Sequence, residues 1–312
     1  MRNAFADELE ILAKENEKVV LLSGDIGNRM FDSFQEAMPD RFYNCGVAEA
    51  SMMSIAAGLA LNGFRPFVYT ITPFMTLRCL EQIKLDVCYH EAPVTIVGTG
   101  SGLSYAGLGP THHSLDDINV MRVLPNMAVV CPCDTHEVRA GLSAILNLEH
   151  PVFFRLGKKG EKPVHLGPLN DFEIGKSITV KNGKNVCIIA VGNVVQLSVD
   201  VANLLDNSGI STCVESFHTV KPLDLNKLGE MFKNYELVCV IEEHSSIGGL
   251  FSAIAEWLIV NAPRNAFKLL QFSMEDKFYS EVSSQVHLRE KSGLDLLSIE
   301  KKIRSHLEVI RE

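Results

Sequence analysis

The sequence predicts an α/β protein built from two tandem doubly wound domains, and three observations predict it. Short, near-continuous apolar runs alternate with longer helical patterns along the 312 residues. Runs of that kind are typical of strands covered on both faces of a parallel sheet. The rhythm breaks once, at the polar, Gly- and Pro-bearing stretch KKGEKPVHLGPLNDFEIGKS (158–177), and then resumes. A chain of this length also exceeds what one ordinary core supports. The domains are therefore set at 1–165 and 179–312, with a linker over 166–178.

The elements follow in order. In the first domain KVVLLSG (18–24), RPFVYT (65–70), APVTIVGTG (92–100), MAVVCP (127–132) and PVFFRLG (151–157) read as strands. Helices are expected over 2–16, 48–61, 74–89, 114–123 and 134–148, the last opened by the capping-box sequence DTHE. The second domain repeats the scheme with strands at 185–193, 211–218, 237–244 and 267–273 and helices at 194–208, 224–233 and 250–260. No repeat of solenoid period and no low-complexity tract is visible.

Composition narrows the functional classes. Hydrophobic residues at 46% and charged ones at 21% are normal for a soluble globular protein. A net charge of -9 with no Lys/Arg run argues against nucleic-acid or anionic-membrane partners. No apolar segment reaches transmembrane length uninterrupted. The N-terminal MRNAFADELEILAKENEKVVLLSGD reads as an amphipathic helix and a strand rather than a cleavable signal, so a cytoplasmic location is expected. The eight cysteines lie mostly in apolar runs. None forms Cys-x-x-Cys, and Cys131-Pro-Cys133 lacks a second ligand pair, so reduced buried thiols and no metal ligand are expected.

Four stretches carry candidate chemistry. In NCGVAEASMMSIAAGLALNG (44–63) Glu49 sits inside a helix that is apolar nearly all round. Such a helix is a buried one, and an ionised carboxylate is costly to bury alone. The structural reading is an acid in the first turn, favoured by the helix dipole. The chemical reading is a carboxyl of raised pKa that shares a proton with a ligand. SGDIGN (23–28) lacks the spacing of a phosphate cradle and reads as a strand-end turn, although Asp25 stands where parallel sheets place ligands. GLSYAGLGPTHHSLDD (102–117) is a Gly-rich loop ending in adjacent histidines. These rarely share one metal, so a surface or substrate-facing role for one is favoured. In IEEHSSIGGLFSAIAEWL (241–258) Gly248-Gly249 opens a helix, for close packing or anion contact. Phe74 reads on its own as a core aromatic.

Taken together, and in order, SGD, RFYNCGVAEASMMSIAAGLALNG, GLGPTHHSLDDINVMRVLPNMAVVCPCDTHE, PVFFRLG, HTVKPLD and EEHSSIGGL resemble the carboxyl-terminal half of transketolases over essentially the whole chain. The resemblance implies a thiamine-diphosphate pyrimidine-binding domain followed by a transketolase C-terminal domain. It implies that Glu49, the glutamate of GVAEAS, hydrogen-bonds N1′ of the cofactor's aminopyrimidine. That contact favours the 4′-imino tautomer, which takes the proton from the thiazolium C2. An apolar helix would keep the carboxyl protonated and strengthen its hydrogen bond. By the same resemblance Phe74 stacks on the pyrimidine and Asp25 lies near the thiazolium side. His112 contacts donor and intermediate oxygens, and Arg155 binds the substrate's phosphate.

Two departures bear on substrate. The family's Asp before Gly-Pro-Thr-His is Leu108 here, and a phosphate-contacting His aligns with Gly100; together they predict a roomier, less polar acceptor site. The Gly-Asp-Gly…Asn set that holds the diphosphate and Mg²⁺ is missing, so those ligands are expected from a partner. The chain then resembles the smaller subunit of a split transketolase, acting on a sugar in an α2β2 heterotetramer with self-association of this chain. A family chain beginning at this domain with its own Met is expected to be a natural subunit. Alternatives are the β subunit of a 2-oxoacid dehydrogenase, a relative of deoxyxylulose-phosphate synthase, and a non-catalytic interaction subunit. Glu49 and His112 argue against the last, since the fold does not need them.

Overall fold

The computed structural model describes residues 1–27, 29–158 and 160–311. Its first sheet takes β1 (Val19–Ser23), β2 (Phe42–Asn44), β3 (Arg65–Ile71), β4 (Thr95–Thr99), β5 (Ala128–Val130) and β6 (Val152–Leu156). These six strands run parallel, ordered 5-6-4-3-1-2. The near-continuous apolar runs are explained by helices on both faces. On one side α1 (Arg2–Glu15), α2 (Asp32–Ala37) and α7 (Thr135–Ile145) seal a core around Phe5, Phe34, Phe67 and Phe154. On the other, α3 (Glu49–Leu61), α4 (Thr72–Thr76), α5 (Leu80–Gln82) and α6 (Asp117–Arg122) cover Val20, Val68, Ile96 and Phe153. The chain reverses its strand order at β1 and β3, so their carboxyl ends flank the crevice where open α/β sheets bind ligands.

The second sheet has β7 (Ile178–Lys181), β8 (Val186–Ala190), β9 (Thr212–Ser216), β11 (Leu237–Ser245) and β12 (Leu269–Met274), ordered 12-11-8-9-7. Its helices are α8 (Val195–Asn207), α9 (Leu225–Asn234), α10 (Leu250–Asn261), α11 (Gln285–Lys291) and α12 (Leu296–Arg311). One strand crosses between the halves. β10 (Thr219–Lys221), inside the HTVKPLD motif, pairs antiparallel with β5 and extends the first sheet to seven strands. Among the described residues no helix is long and apolar enough to cross a membrane.

Three expectations are corrected in detail. The helix over 74–89 is broken: α4 ends at Thr76, and α5 runs into a π-helical turn, Ile83–Cys88. Thr76 Oγ1 donates to the Thr72 carbonyl and Cys79 Sγ to the Phe74 carbonyl, side-chain bonds that accompany the break. The capping box is half formed. Asp134 accepts from the amides of His136 and Glu137, but Glu137 reaches back one residue further, to the Cys133 amide. Helix α3 is not buried all round, since Ser51, Ser54, Ile55, Gly58 and Leu61 form an exposed stripe of small and apolar side chains.

Candidate active site

Glu49 is the first residue of α3 and is only 4% exposed. Its counter-charge comes from the chain itself: Arg78 Nη1 lies 2.8 Å from Glu49 Oε2. The same guanidinium sits 4.5 Å from the centroid of the Phe74 ring. Phe74 in turn meets the His112 imidazole edge to face at 5.1 Å. Beyond it the Tyr105 ring is 6.1 Å from His112 and carries Lys158 Nζ at 4.3 Å. Glu49, Phe74 and His112 are thus brought into one array, joined by Arg78, Tyr105 and Lys158, which sequence reasoning missed. The break between α4 and α5 puts Arg78 and Phe74 at one helix end, beside the start of α3. A cleft of about 660 Å³, lined among others by Phe74, Arg78, Thr111, Asp116 and Phe278, opens at this array.

His112 Nδ1 is 2.9 Å from Thr111 Oγ1. Burial, and then the neighbouring His113, hold its pKa below the ordinary imidazole value, so near neutral pH the ring is uncharged and can donate at one nitrogen while accepting at the other. Leu108 is 55% exposed and closes the short turn ahead of Gly109. Asp25 follows β1 with φ 52°, and its Oδ1 accepts from Asn44 Nδ2 at 3.1 Å. It lines a separate concavity with Gly27, Phe31 and Asn44, away from the residues of the Phe74 cleft.

Two expected substrate contacts are corrected. Arg155 is 2% exposed; its Nε binds Asp117 Oδ2 at 2.7 Å, and Nη2 donates to the Glu243 carbonyl at 3.1 Å. A guanidinium committed to a buried pair and to the second domain's backbone is a structural clasp, not a phosphate ligand at the surface. Gly100 leaves no space either. With φ 78° it has Tyr105 packed so close that an added Cβ would stand 1.9 Å from the ring. The volume of the missing side chain is filled by an aromatic, and the expectation of a roomier site fails at that point.

The EEHSSIGG motif is a packing device. Glu242 accepts the Leu250 and Phe251 amides at 2.7 and 3.1 Å, so its carboxyl group is the hydrogen-bond acceptor at the start of α10. Gly249 permits this, because a Cβ there would lie 2.1 Å from Glu242 Oε2. Glu243 accepts from the Leu103 amide, Asn193 and Gln285 and pairs with Arg289, which ties the second domain to the 102–115 loop. His244 donates from Nδ1 to the Ser245 carbonyl and accepts the Asn119 amide.

Fold and site together define a chain of two α/β domains with a buried glutamate, an aromatic and a histidine brought together at the carboxyl edge of a doubly wound sheet. The chain belongs to the transketolase family: residues 1–161 match the transketolase pyrimidine binding domain and residues 175–273 the transketolase C-terminal domain. It is 33% identical to an apulose-4-phosphate transketolase subunit of Phocaeicola vulgatus, over 83% of this chain and 84% of that protein. It is 35% identical to a 6-deoxy-6-sulfo-D-fructose transketolase subunit of Clostridium sp. strain MSTE9, over 94% and 90%. Among solved structures it is similar to a split gene transketolase described as an inactive beta4 tetramer, with 34% identity, a TM-score of 0.88 and coverage of 98% and 97%.

Proposed function

We propose that this chain is the smaller subunit of a two-subunit, thiamine-diphosphate-dependent transketolase that moves a two-carbon ketol unit from a ketose donor to an aldehyde acceptor. The observation that carries the reading is the guanidinium of Arg78 held between the Glu49 carboxylate and the Phe74 ring. A planar group bearing N–H donors, bonded to an acid on its edge and to an aromatic on its face, is what an aminopyrimidine would be in the same place. The residues present therefore fit that half of the cofactor. When bound, thiamine diphosphate supplies the nucleophilic carbon and electron sink. Glu49 orients the pyrimidine edge and shares a proton with it, and Phe74 fixes the plane of the ring. His112, neutral and held by Thr111, donates to a substrate oxygen as negative charge develops there. Diphosphate and Mg²⁺ ligands would come from a partner subunit, a reading supported by the likeness to a split gene transketolase and to two proteins named as transketolase subunits.

The substrate side carries its own signature. Leu108 replaces an acid, and an apolar wall cannot discriminate by pairing with a hydroxyl. With Arg155 buried, Lys158 on the Tyr105 ring, beside His112, is one cation that could meet an anionic substrate group, alongside Arg78 and Lys277 of the cleft. The names of the two relatives, one a 6-deoxy-6-sulfo sugar enzyme, support an anionic sugar other than the common pentose and tetrose phosphates. The test is reconstitution with a subunit carrying the Gly-Asp-Gly…Asn motif, assayed for cofactor binding by calorimetry and for ketol transfer over a panel of aldehydes. Stoichiometric cofactor binding with ketol transfer, and a Glu49→Gln complex that still binds the cofactor but transfers far more slowly, is the expected result. Reduction of a lipoyl acceptor instead of ketol transfer would move the chain to the 2-oxoacid dehydrogenases, and no cofactor binding in the complex would leave an interaction subunit.

A further inference from the structure

Where the two domains meet, three side chains of metal-ligating type converge away from the Glu49 array. Cys133 Sγ, a Glu137 carboxylate oxygen and a His165 ring nitrogen all lie within 4.8 Å of one another, and all three side chains are buried. Their scaffold is rigid. Cys133 directly precedes Asp134, the N-cap of α7, and Glu137 stands in that helix's first turn. His165 belongs to the segment after the first domain, yet its backbone is fixed: Asp134 Oδ2 accepts the Val164 and His165 amides at 2.8 and 2.9 Å. His165 Nε2 approaches Glu137 Oε1 at 2.9 Å, a hydrogen-bond distance, and a tetrahedral site with bonds of about 2.0–2.3 Å would need the two atoms to part to roughly 3.3–3.8 Å.

The second domain closes the cluster with two buried polar side chains, of which His218 also meets Thr219 Oγ1 through Nδ1. The hydroxyl of Ser216 faces both Cys133 and Glu137, and the His218 imidazole is within electrostatic reach of Glu137 and His165. Both residues are fully buried, and neither Ser216 Oγ nor His218 Nε2 has a hydrogen-bond partner among the described residues. Buried polar atoms without partners call for an explanation, an unseen ion among them. We propose that Cys133, Glu137 and His165 bind a divalent metal of the zinc class, with the fourth position facing Ser216 and His218. Sulfur, oxygen and nitrogen in one closed set suit Zn²⁺ rather than Mg²⁺ or Ca²⁺. The charges balance, since one thiolate and one carboxylate neutralise a dication in a largely buried site. On binding, the Cys133 thiol proton is released to solvent, and His165 binds through Nε2 as the neutral imidazole with its proton on Nδ1. The metal would pin the segment after the first domain, and the strand end carrying Ser216, to helix α7.

The full chain, stripped with chelator and titrated with Co²⁺, should take up one equivalent and show tetrahedral bands together with a thiolate-to-cobalt charge-transfer band. Zn²⁺ should displace the cobalt and raise the melting temperature. Cys133→Ser should abolish the charge-transfer band. His165→Asn, which keeps the thiol, should weaken Zn²⁺ binding by at least the 10–100-fold (roughly) that loss of an outer-sphere partner costs. Substoichiometric cobalt without a thiolate band would reduce the cluster to a hydrogen-bonded triad and overturn the proposal. So would a band that survives Cys133→Ser, because another of the eight cysteines would then be the ligand.

Discussion

At the scale of single residues, two buried ionisable groups on β11 pull stability in opposite directions. Burial pushes the Glu242 carboxyl up to about 7, against the pull of the Leu250 and Phe251 amides. A carboxyl whose folded pKa lies above its ordinary value contributes stability that is present below about 4.5 and lost as pH rises through 7. Burial drives His244 down to about 4, with Asp117 opposing. An imidazole so depressed contributes stability present above about 6.5 and lost as pH falls through 4. Each effect is worth about 3 kcal/mol at 1.36 kcal/mol per tenfold. Between pH 4.5 and 6.5 they oppose each other, so the wild-type profile should be flat there. Glu242→Gln should lose the decline towards pH 7 and fall more steeply on acidification, read as urea midpoints across pH; an unchanged slope would refute the assignment. Neither role was legible in the sequence, where the two acids of EEH, Glu242 and Glu243, differ only by position. Glu49 shows the complementary case. Its burial was readable from the apolar residues around it, but Arg78 was not, because the pairing depends on where α4 stops. Glu49→Gln should keep the fold and lower turnover of the reconstituted enzyme by roughly 10²–10⁴-fold, with slowed exchange of the thiazolium C2 proton.

At the scale of elements, strands were the readable part. Every apolar run of the first domain became a strand within a few residues of its expected ends, because burial on both faces leaves no other composition for a parallel strand. What failed depended on partners distant in sequence. The HTVKPLD strand is too short and polar to announce itself and exists because β5 offers it an edge. The 74–89 helix looked continuous because its apolar spacing is continuous, while local side-chain bonds decide its break. Gly100 is the sharpest miss. Absence of a side chain was read as space, yet the left-handed backbone there lets the Tyr105 ring fold over it. Gly100→Ala should therefore destabilise the loop after β4, by about 1–3 kcal/mol in strain and displaced packing. It should also perturb His112 and Lys158, which both contact that ring. Adding Tyr105→Ala should relieve the clash but not the backbone strain, so the double variant should melt between the single Gly100→Ala variant and Tyr105→Ala. Strictly additive melting shifts would show that the ring and the glycine are not in contact.

At the scale of the whole molecule, the exposed stripe of α3 decides how the isolated chain behaves. Ser51, Ser54, Ile55, Gly58 and Leu61 face outward on the helix whose first residue is Glu49. Small residues let a second backbone approach closely, and Ile55 and Leu61, each at least half exposed, supply apolar area. Ser54 is held by Asp86 at 2.6 Å, which keeps one polar contact at the stripe's edge. An apolar patch at the mouth of a site is better understood as an interface than as a solvent face. The isolated chain is therefore expected to self-associate through α3 and to catalyse no ketol transfer, since Glu49 would sit near a contact that contributes no diphosphate ligands. Ile55→Glu places a charge at the centre of the stripe, and burying it unpaired costs several kcal/mol. Sedimentation velocity should then show the variant as a monomer at concentrations where wild type is oligomeric. The same substitution should weaken reconstitution with the diphosphate-binding subunit, because both contacts use one face. If Ile55→Glu dissolves the self-association yet leaves reconstitution and turnover untouched, two different surfaces are involved, and α3 does not form the heteromeric interface.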